Sequence, residues 1–183
     1  MSDSNLTIAI VGATGAVGAV ALELLADRSY PVEHIIAMAS SRSVGKKLAY
    51  LETELTVIEA TPDAFEGVDV AFISASATVS RALAPEAVKR GAMVIDDGSA
   101  FRMDPAVPLV IPEVNGADLE WHSGIVSIPN CTTTPLAMSL SALGQVARVK
   151  RVTVATYQAV SGTGAAAVRE LDEQSADILT GRP

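Results

Sequence analysis

The segment Thr7-Ile8-Ala9-Ile10-Val11 is short, β-branched and continuously apolar, and Gly12-Ala13-Thr14-Gly15-Ala16-Val17-Gly18 follows it at once. This junction constrains the chain more than any other feature. An unbroken apolar run of that length reads as a strand buried on both faces. The glycines permit a tight turn, and Val17, Val20, Ala21, Leu24 and Leu25 then form a helical stripe that runs out at Asp27. A strand, a glycine turn and a helix in that order start a βαβ unit. Such units build parallel sheets covered by helices on both faces.

The alternation continues. Ile35-Ile36-Ala37-Met38-Ala39 reads as a second strand, Leu55-Thr56-Val57-Ile58 as a third, Val70-Ala71-Phe72-Ile73-Ser74 as a fourth and Met93-Val94-Ile95-Asp96 as the next. A helical segment begins near Thr78, and Pro85 is expected to restart a helix at its first turn rather than sit inside one. Residues 98 to 130 are rich in Pro, Gly and Asn. Within them, Leu109-Val110-Ile111 and Ile125-Val126 read as late strands. Pro135 and the threonines before it mark another helix start, with Leu136, Leu140 and Leu143 on one face. Val152 to Tyr157 alternates as a strand of a second sheet would. Ser161-Gly162-Thr163-Gly164 is a turn, and Val168, Leu171, Ile178 and Leu179 mark a final amphipathic helix.

Bulk properties exclude several classes. A chain of 183 residues that is 49% hydrophobic and 19% charged folds as a globule. A net charge of −8 argues against a nucleic-acid surface, which needs clustered cations. No apolar run approaches a membrane span. The polar start, Met1 to Asn5, lacks a signal peptide's basic flank. A single cysteine rules out an intrachain disulfide and suits a reducing cytoplasm. No metal-ligand cluster is apparent.

Two motifs carry chemistry. A diphosphate can lie against the helix that follows the glycine loop, so Gly12, Thr14, Gly15, Ala16 and Val17 are candidate cofactor contacts. At the end of the second strand an NAD site usually offers a carboxylate for the ribose hydroxyl. Here stand Ser40, Ser41, Arg42 and Ser43, followed by Lys46 and Lys47. Guanidinium and hydroxyl groups suit a 2′-phosphate, which favours NADP. The lone cysteine, Cys131, stands at a predicted helix start. Unpaired backbone N–H groups there favour the thiolate, the nucleophilic form, and could also serve a developing oxyanion.

Taken together, these residues resemble aspartate-β-semialdehyde dehydrogenase. The resemblance spans essentially the whole chain. It includes the Gly12–Gly18 loop, Ala39-Ser40-Ser41-Arg42-Ser43-Val44-Gly45-Lys46, Asp97-Gly98-Ser99-Ala100-Phe101-Arg102 and Ile111-Pro112-Glu113-Val114-Asn115. Pro129-Asn130-Cys131-Thr132-Thr133 and Thr156-Tyr157-Gln158-Ala159-Val160-Ser161-Gly162 complete it. It implies NADPH-dependent reduction of β-aspartyl phosphate to the semialdehyde and phosphate, in lysine, threonine and methionine biosynthesis. By the same resemblance Cys131 is the nucleophile, and Gln158 orients the substrate. Arg102 and Asn130 hold its phosphate. Arg42, Ser43, Ser161 and Gly162 join the cofactor contacts, and the protein is a homodimer or higher oligomer. Gly98-Ser99 and Ser76 depart from the family's more usual residues.

The implied fold is a Rossmann-like doubly wound parallel sheet over residues 1–130, then the start of an α+β catalytic domain over 131–183. Family members run to about twice this length, two compact domains' worth. Their catalytic histidine lies beyond the segment matched here, and neither His34 nor His122 corresponds to it. An isolated segment is therefore expected to be nearly inert and to self-associate through uncovered apolar surface. Two alternatives stand beside this reading. One is an N-acetylglutamyl-phosphate reductase, whose cysteine segment typically reads Pro-Gly-Cys-Tyr. The other is a non-catalytic NADP-binding regulatory module.

Overall fold

The computed structural model describes residues 6–28 and 30–182. They form two compact units, residues 1–150 and 151–183, considered separately below.

The first unit is built on a six-stranded parallel sheet. Its strands are β1 (Leu6–Val11), β2 (Val32–Ala39), β5 (Ile58–Glu59), β6 (Val70–Ile73), β7 (Met93–Asp96) and β8 (Ile125–Ser127). Their order across the sheet is β5-β2-β1-β6-β7-β8. Every pairing is parallel, with Val11 opposite Met38 on one side and Ile73 on the other. All carboxyl ends therefore share one edge, and the order reverses direction at β1. The crevice at such a reversal is where open α/β sheets bind ligands.

Side-chain alternation along β1 explains its continuous apolarity. Ile8 and Ile10 join Leu22 of helix α1 (Ala16–Asp27) in one core layer. Ala9 and Val11 face the opposite layer, with Leu83, Ala84 and Ala87 of helix α2 (Ala77–Lys89). Phe65, fully buried, fills the centre of that second layer.

Three expectations for this unit are corrected. The third strand is not one strand. Thr53–Thr56 (β4) pairs antiparallel with Lys47–Tyr50 (β3) in a separate hairpin, and only Ile58–Glu59 joins the main sheet. Helix α2 runs unbroken through Pro85, which sits inside it. The proline removes one helical hydrogen bond, but burial of Ser80, Leu83, Ala84 and Ala87 along the same face keeps the helix continuous through that position. Helix α1 buries Gly18 and Leu22 rather than the expected stripe, and Val17, Val20 and Leu24 are exposed. The reason is contact distance: a Cβ on Gly18 would stand 2.4 Å from the Gly12 carbonyl oxygen, so the helix can approach the loop only along its glycine.

Two further helices follow in this unit: the single turn α3 (Pro112–Asn115) and α4 (Thr133–Val146). Leu109 bridges to Ser127, so the late apolar pieces do lie together. The second unit holds a 3₁₀ turn, Val160–Thr163, and the long helix α5 (Ala165–Leu179). Residues 152 to 157 form no strand among the described residues, and Val152, Val154 and Tyr157 are exposed. An alternating segment becomes a strand only when a ladder partner lies beside it. Among the described residues no helix is long and apolar enough to cross a membrane.

Among the described residues one carboxyl is buried inside the first unit. Asp96, at the end of β7, is fully buried, and neither of its oxygens nor the hydroxyls of buried Ser80 and Ser127 has a hydrogen-bond partner among the described residues. Burial pushes the Asp96 carboxyl above its ordinary range. The Ser80 hydroxyl and Gly98 amide oppose that rise without reaching hydrogen-bond geometry. A group protonated more readily when folded contributes stability below its unfolded pKa, and that contribution is lost as pH climbs through the folded value. Asp96→Asn, neutral at every pH, should therefore gain stability relative to the wild type as pH rises from the ordinary carboxylate range towards neutrality. Urea unfolding across that range measures the difference, and parallel pH profiles would contradict it.

Candidate active site

The glycine loop is fixed by the sheet. Gly12 and Ala13 donate from their backbone nitrogens to the Met38 carbonyl at 2.9 and 3.1 Å. Gly12 has φ of +88°, and a Cβ there would fall 2.1 Å from the Ser74 carbonyl oxygen. No other residue fits. The result is an open groove of about 470 Å³ at the carboxyl edge of β1, β2 and β6. Gly12, Thr14, Gly15, Ser40, Ser41 and Glu59 are among its lining residues. The closely packed turn and the groove suit a dinucleotide, with Gly15 immediately before α1 and an N-terminal helix end available for a diphosphate.

The remaining cofactor candidates of this unit sit nearby or at its rim. Ala16 and Val17 open α1 and are exposed. Arg42 and Ser43 belong to the 3₁₀ turn Ser41–Ser43 that follows β2; Arg42 is exposed and Ser43 buried. Sequence reading found no carboxylate here and missed Glu59. It is seventeen residues beyond Arg42, on a two-residue strand, but the β2–β5 register sets it opposite Ala39. Only the pairing, not the spacing, reveals it.

A second cluster forms at the ends of β7 and β8. The Arg102 guanidinium donates from Nη2 to the Asp97 carbonyl at 2.7 Å and from Nε to the Ile128 carbonyl at 2.9 Å. It thereby ties the loop after β7 to the segment that leads into Asn130 and Cys131. The Ser74 hydroxyl donates to Asp97 Oδ2 at 2.9 Å, linking β6 to the same loop. Ser76 caps α2 by accepting from the Val79 amide at 3.4 Å.

Cys131 is exposed just before α4. The backbone around it differs from expectation. Asn130 takes up the amides that a helix start ordinarily leaves open. Its carbonyl accepts from Thr133 N–H at 2.8 Å and Thr134 N–H at 3.2 Å, and its side-chain Oδ1 accepts from Thr132 N–H at 3.0 Å. Pro135 has no N–H to offer. These amides are therefore not available to an oxyanion, because Asn130 satisfies them internally. Oδ1 also accepts from the Thr132 hydroxyl at 2.7 Å and lies 3.8 Å from Cys131 Sγ.

In the second unit Gln158 packs against Gly162. A Cβ on Gly162 would come 2.5 Å from Gln158 Nε2, so the glycine leaves room for the amide. Ser161 lies in the same 3₁₀ turn as Gly162. Of the histidines, His34 is exposed near the start of β2 beside Glu33, inside the strand rather than before it, and His122 Nδ1 accepts from Gly124 N–H at 3.0 Å. No group of three or more potential metal ligands occurs among the described residues.

Comparison with known proteins decides the family. Residues 7–122 match the semialdehyde dehydrogenase NAD-binding domain, and residues 140–183 match the semialdehyde dehydrogenase dimerisation domain. The chain belongs to the semialdehyde dehydrogenase family. It is 52% identical over 175 residues to the aspartate-semialdehyde dehydrogenase of Bacillus subtilis, covering 96% of this chain and 51% of that protein. The Synechocystis enzyme of the same name is 45% identical over 179 residues, covering 98% and 53%. Among solved structures, aspartate semialdehyde dehydrogenase II from Vibrio cholerae, complexed with ASA, superposes with a TM-score of 0.92 at 37% identity. It covers 98% of this chain and 54% of that one. The Candida albicans enzyme with NADP superposes at 0.67 and 28% identity, covering 78% and 48%. The chain thus spans about half the length of the curated relatives it matches.

The loop geometry yields a sharp contrast between glycines. Gly12→Ala should cost at least about 2 kcal/mol, from positive φ and the clash with Ser74. Gly116→Ala, whose added Cβ meets nothing within 4 Å, should stay within about 0.5 kcal/mol of wild type. Chemical denaturation of both variants checks this, and equal effects would mean that the Gly12 turn is not closely packed.

Proposed function

We propose that this chain supplies the cofactor groove and the nucleophile of an NADPH-dependent reductase acting on β-aspartyl phosphate. The observation that carries the proposal is the placement of Cys131: exposed, immediately before α4, and beside the Asn130 amide.

The chemistry follows from the side chains. The Cys131 thiolate attacks the acyl carbon, phosphate leaves with the bonding electron pair, and an aspartyl thioester remains on Sγ. A nucleophile that forms a covalent intermediate splits one difficult displacement into two easier ones. NADPH, when bound, would supply a hydride to the thioester carbonyl, and cleavage of the carbon–sulfur bond would release the aldehyde and return the Cys131 thiolate. Asn130 and Arg102 are the proposed phosphate-binding groups. Two guanidinium nitrogens of Arg102 are already engaged by carbonyls, so its positive charge is delivered in a fixed position. Gln158 is assigned to substrate orientation. It donates or accepts without bringing a net charge to the acyl group.

For the dinucleotide, the groove residues Gly12, Thr14, Gly15 and Ser40 would contact it along the loop, with Ala16 and Val17 at the helix start. Ser161 and Gly162 join them by family resemblance. Arg42 and Ser43 favour the 2′-phosphate of NADP. Glu59 works against it, because a carboxylate repels phosphate and accepts readily from a ribose hydroxyl. The balance gives a preference for NADP that Glu59 weakens. Glu59→Gln should therefore strengthen binding of 2′-phospho-ADP-ribose several-fold relative to ADP-ribose, and Arg42→Ala should reverse the preference. Calorimetric titration with the two ligands distinguishes these cases, and equal affinity for both in the wild type would defeat the NADP assignment.

The acyl group is tested separately. Incubation with β-aspartyl phosphate should release phosphate equivalent to the Cys131 content, whereas N-acetyl-γ-glutamyl phosphate should release none above its spontaneous hydrolysis. The reverse ranking would move the chain to the other acyl-phosphate reductase reading.

A further inference from the structure

We propose that Asp96 is a positioning residue that acts through Arg102: its neutral carboxyl leaves the guanidinium charge to the substrate's anionic group, and its ionisation would withdraw that charge. The inference deepens the reading of Arg102 as an anion-binding group and rests on it.

Backbone geometry joins the two residues. The Asp96 carbonyl accepts from Ile128 N–H at 3.0 Å, and the Ile128 carbonyl accepts from Arg102 Nε at 2.9 Å. Arg102 Nη2 donates at 2.7 Å to the carbonyl of Asp97, the residue after Asp96. The Asp96 side chain therefore starts one residue from an Arg102 acceptor. Among the described residues the hydrogen bonds of Arg102 go to these two carbonyls. A cation held by neutral dipoles keeps its charge for a ligand, whereas a nearby ionised carboxylate would cancel part of it.

The surroundings of Asp96 favour the neutral form. Asp96 is fully buried, as are Ser80 of α2 and Ser127 of β8, and their side-chain oxygens have no partner among the described residues. Strand register sets Asp96 between Ile73 of β6 and Ser127. Gly98 closes over the group: a Cβ there would stand 3.0 Å from Ser80 Oγ and 3.2 Å from Asp96 Oδ1. Burial chiefly keeps the proton on the carboxyl and the Asp97 charge adds to it, while the Ser80 hydroxyl, the Gly98 amide and the Arg102 charge oppose. Arg81, next to Ser80 on α2, is exposed and donates to the Ala100 carbonyl at 3.4 Å.

The coupling is reciprocal. Ionised Asp96 weakens an anion at Arg102, and an anion at Arg102 holds the proton on Asp96. Anion binding is therefore accompanied by proton uptake wherever Asp96 titrates.

The test uses the full chain carrying Cys131→Ser, so that no thiol titrates, with and without Asp96→Asn. The probe is inorganic sulfate, a dianion across the whole range. Calorimetric titration in buffers of different ionisation enthalpy gives both the affinity and the protons exchanged. In the ordinary carboxylate range the two proteins should bind sulfate alike. Towards neutrality and above, the Asp96 protein should fall about fivefold below Asp96→Asn in affinity, and it should take up protons that the Asn variant does not. Parallel affinity profiles with equal proton exchange overturn the inference and leave the Arg102 reading intact. An Asp96 protein that binds sulfate without proton uptake at any pH overturns it too, whether or not the variant folds. So does loss of sulfate affinity at every pH in Asp96→Asn, because the carboxyl would then serve packing rather than charge. Sulfate affinity unchanged by Arg102→Ala removes the anion-binding reading itself, and this inference falls with it.

Discussion

The pairing of β1 between β2 and β6 is the constraint from which the rest follows. A strand bonded in parallel on both sides and packed on both faces leaves no freedom in where it ends. Its last residue, Val11, is registered against Met38 and Ile73, so the turn that follows must begin at the sheet's carboxyl edge. There the Met38 carbonyl captures two successive amides of that turn, and the Ser74 carbonyl stands where any side chain at position 12 would be. The groove is thus a consequence of sheet order. It exists because β2 and β6 leave β1 in opposite directions and their connecting segments part above it.

The same edge organises the second half of the site. Strands β7 and β8 end beside one another, and Arg102 spans the loops that leave them. A cation bonded to two carbonyls costs less conformational entropy when it later meets an anion than a mobile one does. Asn130 then closes the chain into α4 and absorbs the helix-start amides. That economy has a chemical consequence. In the proposed reaction, stabilisation of negative charge near Cys131 would fall to side chains such as Asn130 and Arg102 rather than to the amides of Thr132, Thr133 and Thr134.

Buried parallel strands are legible in sequence because both of their faces must be apolar. For that reason Thr7–Val11, Ile35–Ala39, Val70–Ile73 and Met93–Asp96 could be found without a partner in view. The misreadings share one cause: their deciding term lies in another segment. Leu55 and Ile58 look like one strand, and only their different partners divide them between hairpin and sheet. The buried face of α1 runs through Gly18, which carries no hydrophobic signal because its role is to have no side chain. Pro85 is tolerated by packing that local propensity does not describe. At the site, Cys131, Asn130, Arg102 and the glycine loop stood out as motifs. Glu59 and the burial of Asp96 did not, since one depends on strand register and the other on what packs over β7.

The central claim is that Cys131 sulfur becomes acylated. Its most direct measurement is peptide mapping by mass spectrometry after rapid acid quench of the protein with β-aspartyl phosphate, without NADPH. An aspartyl adduct confined to the peptide bearing Cys131, and lost on treatment with hydroxylamine, is the expected result. An unmodified Cys131 peptide under conditions where phosphate is released would contradict the account.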